Sequence, residues 1–172
     1  PDNVNLPGGI TRNDGQMENQ GMEFEFSTKN LVGEFKWNTE FNISANKNRV
    51  TKLGLNKVYY YADMYTTGEN AIILKEGLPL GSFFGYNSLG VNEDTGDIMY
   101  EDVSGNGSIG PEDRVVIGCA QPKFIYGITN DFSWKGVYLS LFFQGSCGNQ
   151  LFNASRIDTE GMIDFKNQST AV

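Results

Sequence analysis

Hydrophobic and polar residues alternate with a period of two in two separate parts of this chain. In the first part, residues 34–45 place one set of side chains on each face of an extended backbone. One face carries Phe35, Trp37, Thr39, Phe41, Ile43 and Ala45, and the other carries Glu34, Lys36, Asn38, Glu40, Asn42 and Ser44. Such alternation predicts a β-strand with one apolar face. The segment exceeds the usual strand length of about 5–6 residues and suits a tilted membrane-spanning strand, which needs roughly 9–11.

The same alternation predicts two strand hairpins. Upstream, Met22, Phe24 and Phe26 alternate with Glu23 and Glu25, so a connection at residues 29–33 would complete a hairpin over residues 22–45. A second hairpin is predicted over residues 123–145, with its turn at 133–136. Its faces carry Phe124, Tyr126, Ile128, Asn130 and Phe132, then Val137, Leu139, Leu141 and Phe143, opposite Tyr138, Ser140, Phe142 and Gln144. No segment shows a 3.6-residue stripe, so we expect little helix.

The stretch between the hairpins, residues 46–122, is rich in Gly, Asn, Asp and Tyr and contains short strand-like pieces. A loop of this length is unusual in a compact domain but typical of one end of an outer-membrane barrel, whose other end carries short turns. We therefore expect periplasmic turns at 29–33 and 133–136 and a mainly extracellular stretch at 46–122. That stretch would add zero or two further spans, with residues 80–91 as part of one, and residues 146–172 would begin the next extracellular loop.

Composition excludes several classes of function. The chain has 172 residues, 21 acidic against 13 basic residues, no His and a net charge of −8. This balance argues against nucleic-acid binding, which needs a basic face. Without His there is no Ser-His-Asp triad and no HExxH zinc site. Acid pairs such as Asp94/Asp97 and Glu112/Asp113 have no identifiable partner acid at glycosidase spacing. We expect no catalytic residues, and a glycosidase ranks last.

The cysteines and the chain ends leave two further questions. Cys119 and Cys147 would form either a disulfide or two unpaired thiols, and the sequence leaves both open. No run of about 18 apolar residues is present, so a transmembrane helix is not predicted. The chain lacks a start methionine, and we expect it to be an excerpt of a longer protein.

One loop has the spacing of a calcium site. From Asp102, oxygen side chains fall at positions one, three and five, Gly at six and a carboxylate at twelve. The predicted ligands are Asp102, Ser104, Asn106, the Ser108 carbonyl and Asp113. Ser and Asn stand where stronger calcium loops have Asp, so an Asx/Gly turn closed by its own hydrogen bonds is the alternative.

Several segments, in order, resemble the C-terminal barrel segment of the SusC/RagA family, the TonB-dependent (TonB-linked) outer-membrane transporters of Bacteroidetes. The matching pieces are residues 17–24 (MENQGMEF), 35–38 (FKWN), 46–50 (NKNRV), 77–86 (GLPLGSFFGY), 96–102 (GDIMYED), 113–118 (DRVVIG), 122–127 (PKFIYG) and 142–149 (FFQGSCGN). The family's loop usually has the form DvNGDGkI, whereas this chain has DVSGNGSI at 102–109. Cys119 and Cys147 are also not typical of the family pattern.

The resemblance implies an all-β fold made of antiparallel strands of a large transmembrane β-barrel with long extracellular loops, of which this chain would be a fragment. It implies import of oligosaccharides or peptides, a SusD-like surface lipoprotein as partner, and energy from TonB through regions outside this chain. Phe35, Trp37, Phe41 and Ile43 would then face outer-membrane lipid, and Glu34, Lys36, Asn38 and Glu40 the barrel interior. The alternative is a soluble, secreted, calcium-stabilised β-sandwich that binds glycans.

Overall fold

The computed structural model describes residues 15–64, 68–161 and 167–170, and these are almost entirely β-structure. In chain order the elements are β1 (Gln16–Val32), β2 (Phe35–Lys52), β3 (Val58–Met64), β4 (Glu69–Lys75), β5 (Ser82–Gly85), β6 (Ser88–Val91), β7 (Ile98–Tyr100), a 3₁₀ turn (Pro111–Asp113), β8 (Val115–Cys119), β9 (Phe124–Trp134), β10 (Val137–Cys147) and α1 (Ser155–Glu160). No helix among the described residues is long and apolar enough to cross a membrane.

The strands form three antiparallel sheets. The largest, called the wall sheet here, has the order β1-β2-β9-β10. A second sheet has the order β3-β4-β5-β8, and β6 and β7 form a separate two-stranded ribbon. The second sheet, the ribbon and their connections make up the lobe, residues 53–123. The expected all-β antiparallel fold is confirmed.

Both tight turns of the wall sheet lie at the same end. Phe35, which begins β2, pairs with Trp134, which ends β9, so the β1–β2 and β9–β10 turns are neighbours. The second turn consists of Lys135 and Gly136, both at positive φ (46° and 86°), as a two-residue hairpin of the right twist requires. The lobe therefore emerges from the opposite end of the sheet.

The first hairpin is longer than the alternation predicts, and its turn is elsewhere. Residues 29–32 belong to β1, and the chain reverses at Gly33 and Glu34. A register shift between Lys29 and Leu31 inserts one extra residue and keeps Leu31 opposite Trp37. This bulge interrupts the alternation and resembles a turn in the sequence. Beyond residues 22–45 the backbones continue to pair, from Gln16 to Lys52, although the side chains become polar.

The lobe adds no strand to the wall sheet. β2 pairs directly with β9, so of the two counts expected, zero and two further spans, the structure has zero. Residues 80–91, which could have supplied part of a span under the second count, add no strand to the wall sheet. They form β5 and β6, which pair with β4 and β8 and with β7 because the turn at 76–81 folds the chain back onto the end of β2.

The lobe is bonded to the wall sheet on two sides. At the end of β2, the Val50 N–H donates to the Leu78 carbonyl (2.9 Å), and the Gly77 N–H donates to the Val50 carbonyl (2.8 Å). After β10, the Gln150 N–H donates to the Cys119 carbonyl (2.9 Å). The buried apolar core of the described residues lies at this junction and consists of Val50, Leu53, Ala71, Ile73 and Phe83.

One glycine in the resemblance motif is required by close backbone approach. A Cβ at Gly21 would lie 2.7 Å from the Ala45 carbonyl oxygen on the paired strand, which is too close for any side chain. We expect Gly21→Ala to destabilise the hairpin by roughly 1–3 kcal/mol, because the two strands must separate locally. Urea denaturation of the full-length protein, followed by the shift in mobility between folded and unfolded forms on gels, would measure this. Gly33→Ala is the matched control, since a Cβ at that position would have no neighbour within 4 Å, and equal loss in both variants would contradict the explanation.

Candidate functional site

One face of the wall sheet is a continuous apolar surface across four strands. The register places Phe35 opposite Trp134, Trp37 opposite Phe132 and Phe41 opposite Ile128. On the outer strands Phe26 pairs with Phe41, and Phe143 pairs with Ile128. The Trp37 and Phe132 rings stack with centroids 5.8 Å apart. Because directly opposed residues of an antiparallel pair share a face, the two predicted apolar faces merge into one.

This apolar face is exposed. Met22 is 81% exposed, Phe24 58% and Phe143 59%. Water-soluble monomers rarely expose a contiguous apolar patch larger than a few hundred Å². Among the described residues no second sheet packs on this face. The face therefore requires an apolar cover from outside the described chain.

The height of the apolar face matches a membrane. Ten residue steps separate Phe35, at the turn end, from Ala45, the last apolar residue of the alternation. At about 3.3 Å per residue and a tilt of about 40°, they span roughly 25 Å, the height of the apolar band of outer-membrane barrels. Beyond Ala45 the same face continues with Lys47 and Arg49, both exposed. The apolar band is therefore bounded at both ends.

The opposite face is polar. Lys36, Asn38 and Glu40 lie on it, as the alternation predicts, while Glu34 lies in the turn between the strands. Across the sheet these three residues pair with Ser133, Asp131 and Thr129, which are polar as well. Which side meets lipid and which the barrel interior stays a prediction.

Some side chains depart from this division, as two examples show. Asn130 lies on the apolar face, where its Oδ1 accepts from Trp37 Nε1 (3.0 Å) and from Thr39 Oγ1 (2.8 Å), so it is hydrogen-bonded within the sheet. Phe142 lies on the polar face opposite Thr129 and is exposed. The alternation assigns a face to each residue, but only the register shows their partners.

The loop with calcium-site spacing is closed by its own hydrogen bonds. Asp102 accepts from the N–H groups of Gly105 and Gly107, each at 2.7 Å, and from Ser104 Oγ at 3.2 Å. Asn106 Oδ1 accepts from the Ser108 N–H (2.8 Å). These contacts are those of the predicted Asx/Gly turn. Among the described residues no group of three or more His, Cys, Asp or Glu side chains is arranged to hold a metal, and calcium binding at Asp102, Ser104, Asn106, Ser108 and Asp113 stays a prediction.

Asp113 holds this loop to the 3₁₀ turn. Its carboxylate is fully buried, and its two oxygens accept from the Gly110 N–H (2.7 Å) and the Ser104 N–H (2.8 Å). These bonds, first the one from Gly110 and then the one from Ser104, lower the pKa of Asp113 below its ordinary value of 3.8, against the opposing effect of burial. A negative charge at this position is therefore favoured by the fold.

Arg114, which directly precedes β8, binds to the two central strands of the lobe sheet, β4 and β5. Its guanidinium contacts the Glu69 carboxylate at 2.5 Å, donates to the Asn70 carbonyl and to the Phe84 carbonyl (3.3 Å), and lies 4.7 Å from the centre of the Phe84 ring. Its side chain is only 9% exposed. Nothing in the sequence pattern identified this residue, because its partners are 30 to 45 positions away.

Both cysteines are free thiols. Cys119 is partly exposed at the end of β8, and Cys147 is exposed at the end of β10. Of the two alternatives left open by the sequence, the structure has the unpaired one.

Comparison with known proteins gives consistent results. No family model matches the chain. It is 34% identical over 165 residues to TonB-dependent receptor P3 of Formosa agariphila, covering 86% of this chain, and 29% identical over 178 residues to TonB-dependent receptor SusC of Bacteroides thetaiotaomicron, covering 95%. The solved structure of the RagAB peptide transporter superposes on 87% of this chain with a TM-score of 0.73 at 22% identity. The chain spans only 16% to 18% of the length of these proteins.

The pKa of Asp113 leads to a prediction about acid stability. A carboxyl group with a lowered pKa stabilises the fold above its unfolded value and loses this contribution as the pH falls through the lowered pKa. The Ser104 and Gly110 amides should therefore keep their protection from hydrogen exchange down to about pH 3.8 and lose it only below that pH. In Asp113→Asn the protection should be weakened at every pH, because an amide accepts with one atom only. Glu112→Gln is the control, and loss of protection already at about pH 5 in the native protein would contradict the assignment.

Arg114→Lys should loosen the lobe. An ammonium cannot reach Glu69 and two carbonyls in the geometry of a guanidinium, so buried acceptors lose their donors at a cost of about 2 kcal/mol. Limited proteolysis of the folded full-length protein should then cleave residues 53–123 several-fold faster. The control is Arg156→Lys. Arg156 forms an ion pair with Glu160 on α1, where its side chain is 65% exposed, so its replacement by Lys should cost little. Equal cleavage rates in the two variants would show that Arg114 does not hold the lobe.

Proposed function

Since this chain belongs to the TonB-dependent receptors as a segment of the SusC/RagA type, we propose that it forms part of the barrel wall of an outer-membrane nutrient transporter. Strands β1, β2, β9 and β10 are the proposed wall strands, with their apolar face toward lipid and their polar face toward the interior. The observation that carries the proposal is the exposed apolar band of about 25 Å on a sheet whose tight turns share one end.

The proposed orientation follows from the two ends of the wall sheet. The turns at 33–34 and 135–136 lie on the periplasmic side, and the lobe lies outside the cell. Residues 146–172 begin the next extracellular loop. β1 and β10 each pair with one neighbour among the described strands, and further strands of the barrel would pair with their other edges, because unpaired edges are not tolerated in lipid.

For the cargo and partners, we propose import of oligosaccharides or peptides together with a SusD-like surface lipoprotein, with TonB acting through parts of the protein outside this chain. The RagAB transporter, whose fold this segment shares, is described as a peptide transporter. The polar face of the wall sheet, with its amides and hydroxyls at Asn42, Ser44, Thr129 and Gln144, suits a passage for polar solutes. The transporter segment itself has no proposed catalytic residue.

The alternative, a soluble sandwich that binds glycans, requires a second sheet on the apolar face. The described residues provide a second sheet, β3-β4-β5-β8, but it contacts the end of β2 near Val50 rather than the band from Phe35 to Ala45. The rival therefore lacks the packing that would keep it soluble.

Lipid accessibility tests the orientation. In the full-length receptor reconstituted in lipid, with native cysteines replaced, a spin label at Phe41→Cys should be relaxed by oxygen and shielded from a water-soluble nickel chelate. The matched control is Glu40→Cys. Adjacent residues of a strand point to opposite faces, so a label at position 40 lies on the polar face and should be relaxed less by oxygen than the label at position 41. Access of the nickel chelate to position 41 would refute the proposed function.

Transport is tested separately. Deletion of the gene should abolish growth on at least one class of oligosaccharide or peptide that the native strain uses, and the intact gene should restore it. Uptake of a labelled cargo by cells with and without the receptor is the direct measurement. Unchanged uptake of all such cargoes would remove the nutrient-transport part of the proposal and leave the barrel assignment standing.

A further inference from the structure

The outward face of β2 changes its chemistry at one point. The residues of this face are apolar up to Ala45, and the next two on the same face are Lys47 and Arg49, which are both exposed. Asn48 and Val50, on the opposite face, are buried against the lobe. By strand alternation the two cations therefore belong to the face that carries the apolar band, directly beyond its last residue, and the lobe borders the groove into which they open.

The height of the two cations corresponds to the headgroup layer of a bilayer. At about 3.3 Å per residue and a tilt of about 40°, Lys47 lies roughly 5 Å and Arg49 roughly 10 Å above Ala45. The polar layer on each side of the hydrocarbon core is about 5–8 Å thick, so Lys47 lies within it and Arg49 lies at its outer boundary, from which a long side chain can reach a headgroup phosphate. In the orientation proposed above, this layer belongs to the outer leaflet, whose lipids carry phosphate groups.

A groove of about 960 Å³ opens at the same place. It starts at Met22 and Ala45, the last apolar pair of the band, and continues to Lys47, Arg49 and Lys123. The described residues that line it include three cations and no carboxylate, and its other polar side chains are chiefly amides. In a chain with a net charge of −8, such a local excess of positive charge favours an anionic ligand.

The nearest acid leaves Arg49 available. Glu18 lies opposite Arg49 on β1, but its carboxylate comes no closer than 4.0 Å to the guanidinium, and both side chains are at least half exposed. An exposed ion pair at this distance contributes little. A guanidinium has five N–H donors in a planar fork that matches a phosphate, so a phosphate can bind without breaking a strong contact.

We propose that Lys47 and Arg49 bind the phosphate groups of outer-leaflet lipid headgroups and so fix the height of this wall in the membrane. The inference rests on the proposed function, because it needs the apolar band to lie in the outer membrane. A soluble anion, such as a phosphorylated or sulfated cargo, shares the ligand chemistry. The position on the lipid side of the strand favours the lipid.

The test measures lipid bound to the full-length receptor purified from outer membranes in mild detergent. Native mass spectrometry should show retained lipid A that carries phosphate, and the double variant Lys47→Gln/Arg49→Gln should retain at least threefold less. Glu18→Gln should retain more, because it removes the acid that faces Arg49 across the hairpin. The matched control, Lys29→Gln/Lys36→Gln, neutralises two cations on the opposite face of the same hairpin and should retain as much as the native protein.

Added ligands distinguish the two sources of phosphate. Lipid A should rebind to delipidated receptor, whereas dephosphorylated lipid A and millimolar inorganic phosphate should not compete with it. Equal retention by native protein and double variant, equal loss in the control, or equal binding of dephosphorylated lipid would each overturn the proposal. The proposal would also be overturned if binding of a soluble sulfated glycan depended on Lys47 and Arg49 while binding of lipid A did not. The mobility of the double variant on gels shows whether it is folded. If the native receptor were recovered as a soluble protein without detergent, the proposed function would be refuted instead.

Discussion

The antiparallel pairing of β2 with β9 is the contact on which the rest of the structure depends. It joins Ser44 to Ile125 and Phe35 to Trp134, so strands separated by the whole lobe become neighbours. The pairing places both tight turns at one end, aligns the aromatic residues of two hairpins on one face, and forces residues 53–123 to fold outside the sheet. Closing a loop of this length costs little more than closing one of half the length, and the ladder and the aromatic contacts offset that cost.

The lobe is a folded body with its own sources of order. Arg114 binds to two of its strands, β4 and β5, and Asp113, the preceding residue, closes the adjoining loop through backbone N–H groups. The two neighbours bind different parts of the lobe, Arg114 the sheet and Asp113 the loop. Charged side chains with several hydrogen bonds therefore organise a segment whose apolar core is confined to a few residues near Val50 and Phe83.

The faces of the wall strands and the character of the fold could be predicted from the sequence, because a period of two is a local property that an apolar environment on one side imposes. The pairing of β2 with β9 could not, since it depends on residues about 90 positions apart, such as Trp37 and Asn130. The position of the first turn was also predicted wrongly. The bulge before Leu31 adds one residue, which breaks the alternation, so the pattern indicates a strand end there. The role of Arg114 could not be predicted either, because its partners are 30 to 45 positions away in the sequence.

The two attachments of the lobe have a mechanical consequence. Val50 on β2 and Gln150 after β10 are tied to two different places on one folded unit, the turn after β4 at Gly77–Leu78 and the end of β8 at Cys119. The unit thus bridges β2 and β10 across the end of β9, and spreading these two strands at this end would have to break one of the two ties in addition to a ladder with β9. The spacing of β2 and β10 at this end is therefore set twice, once by the ladders through β9 and once by the hydrogen bonds to the lobe.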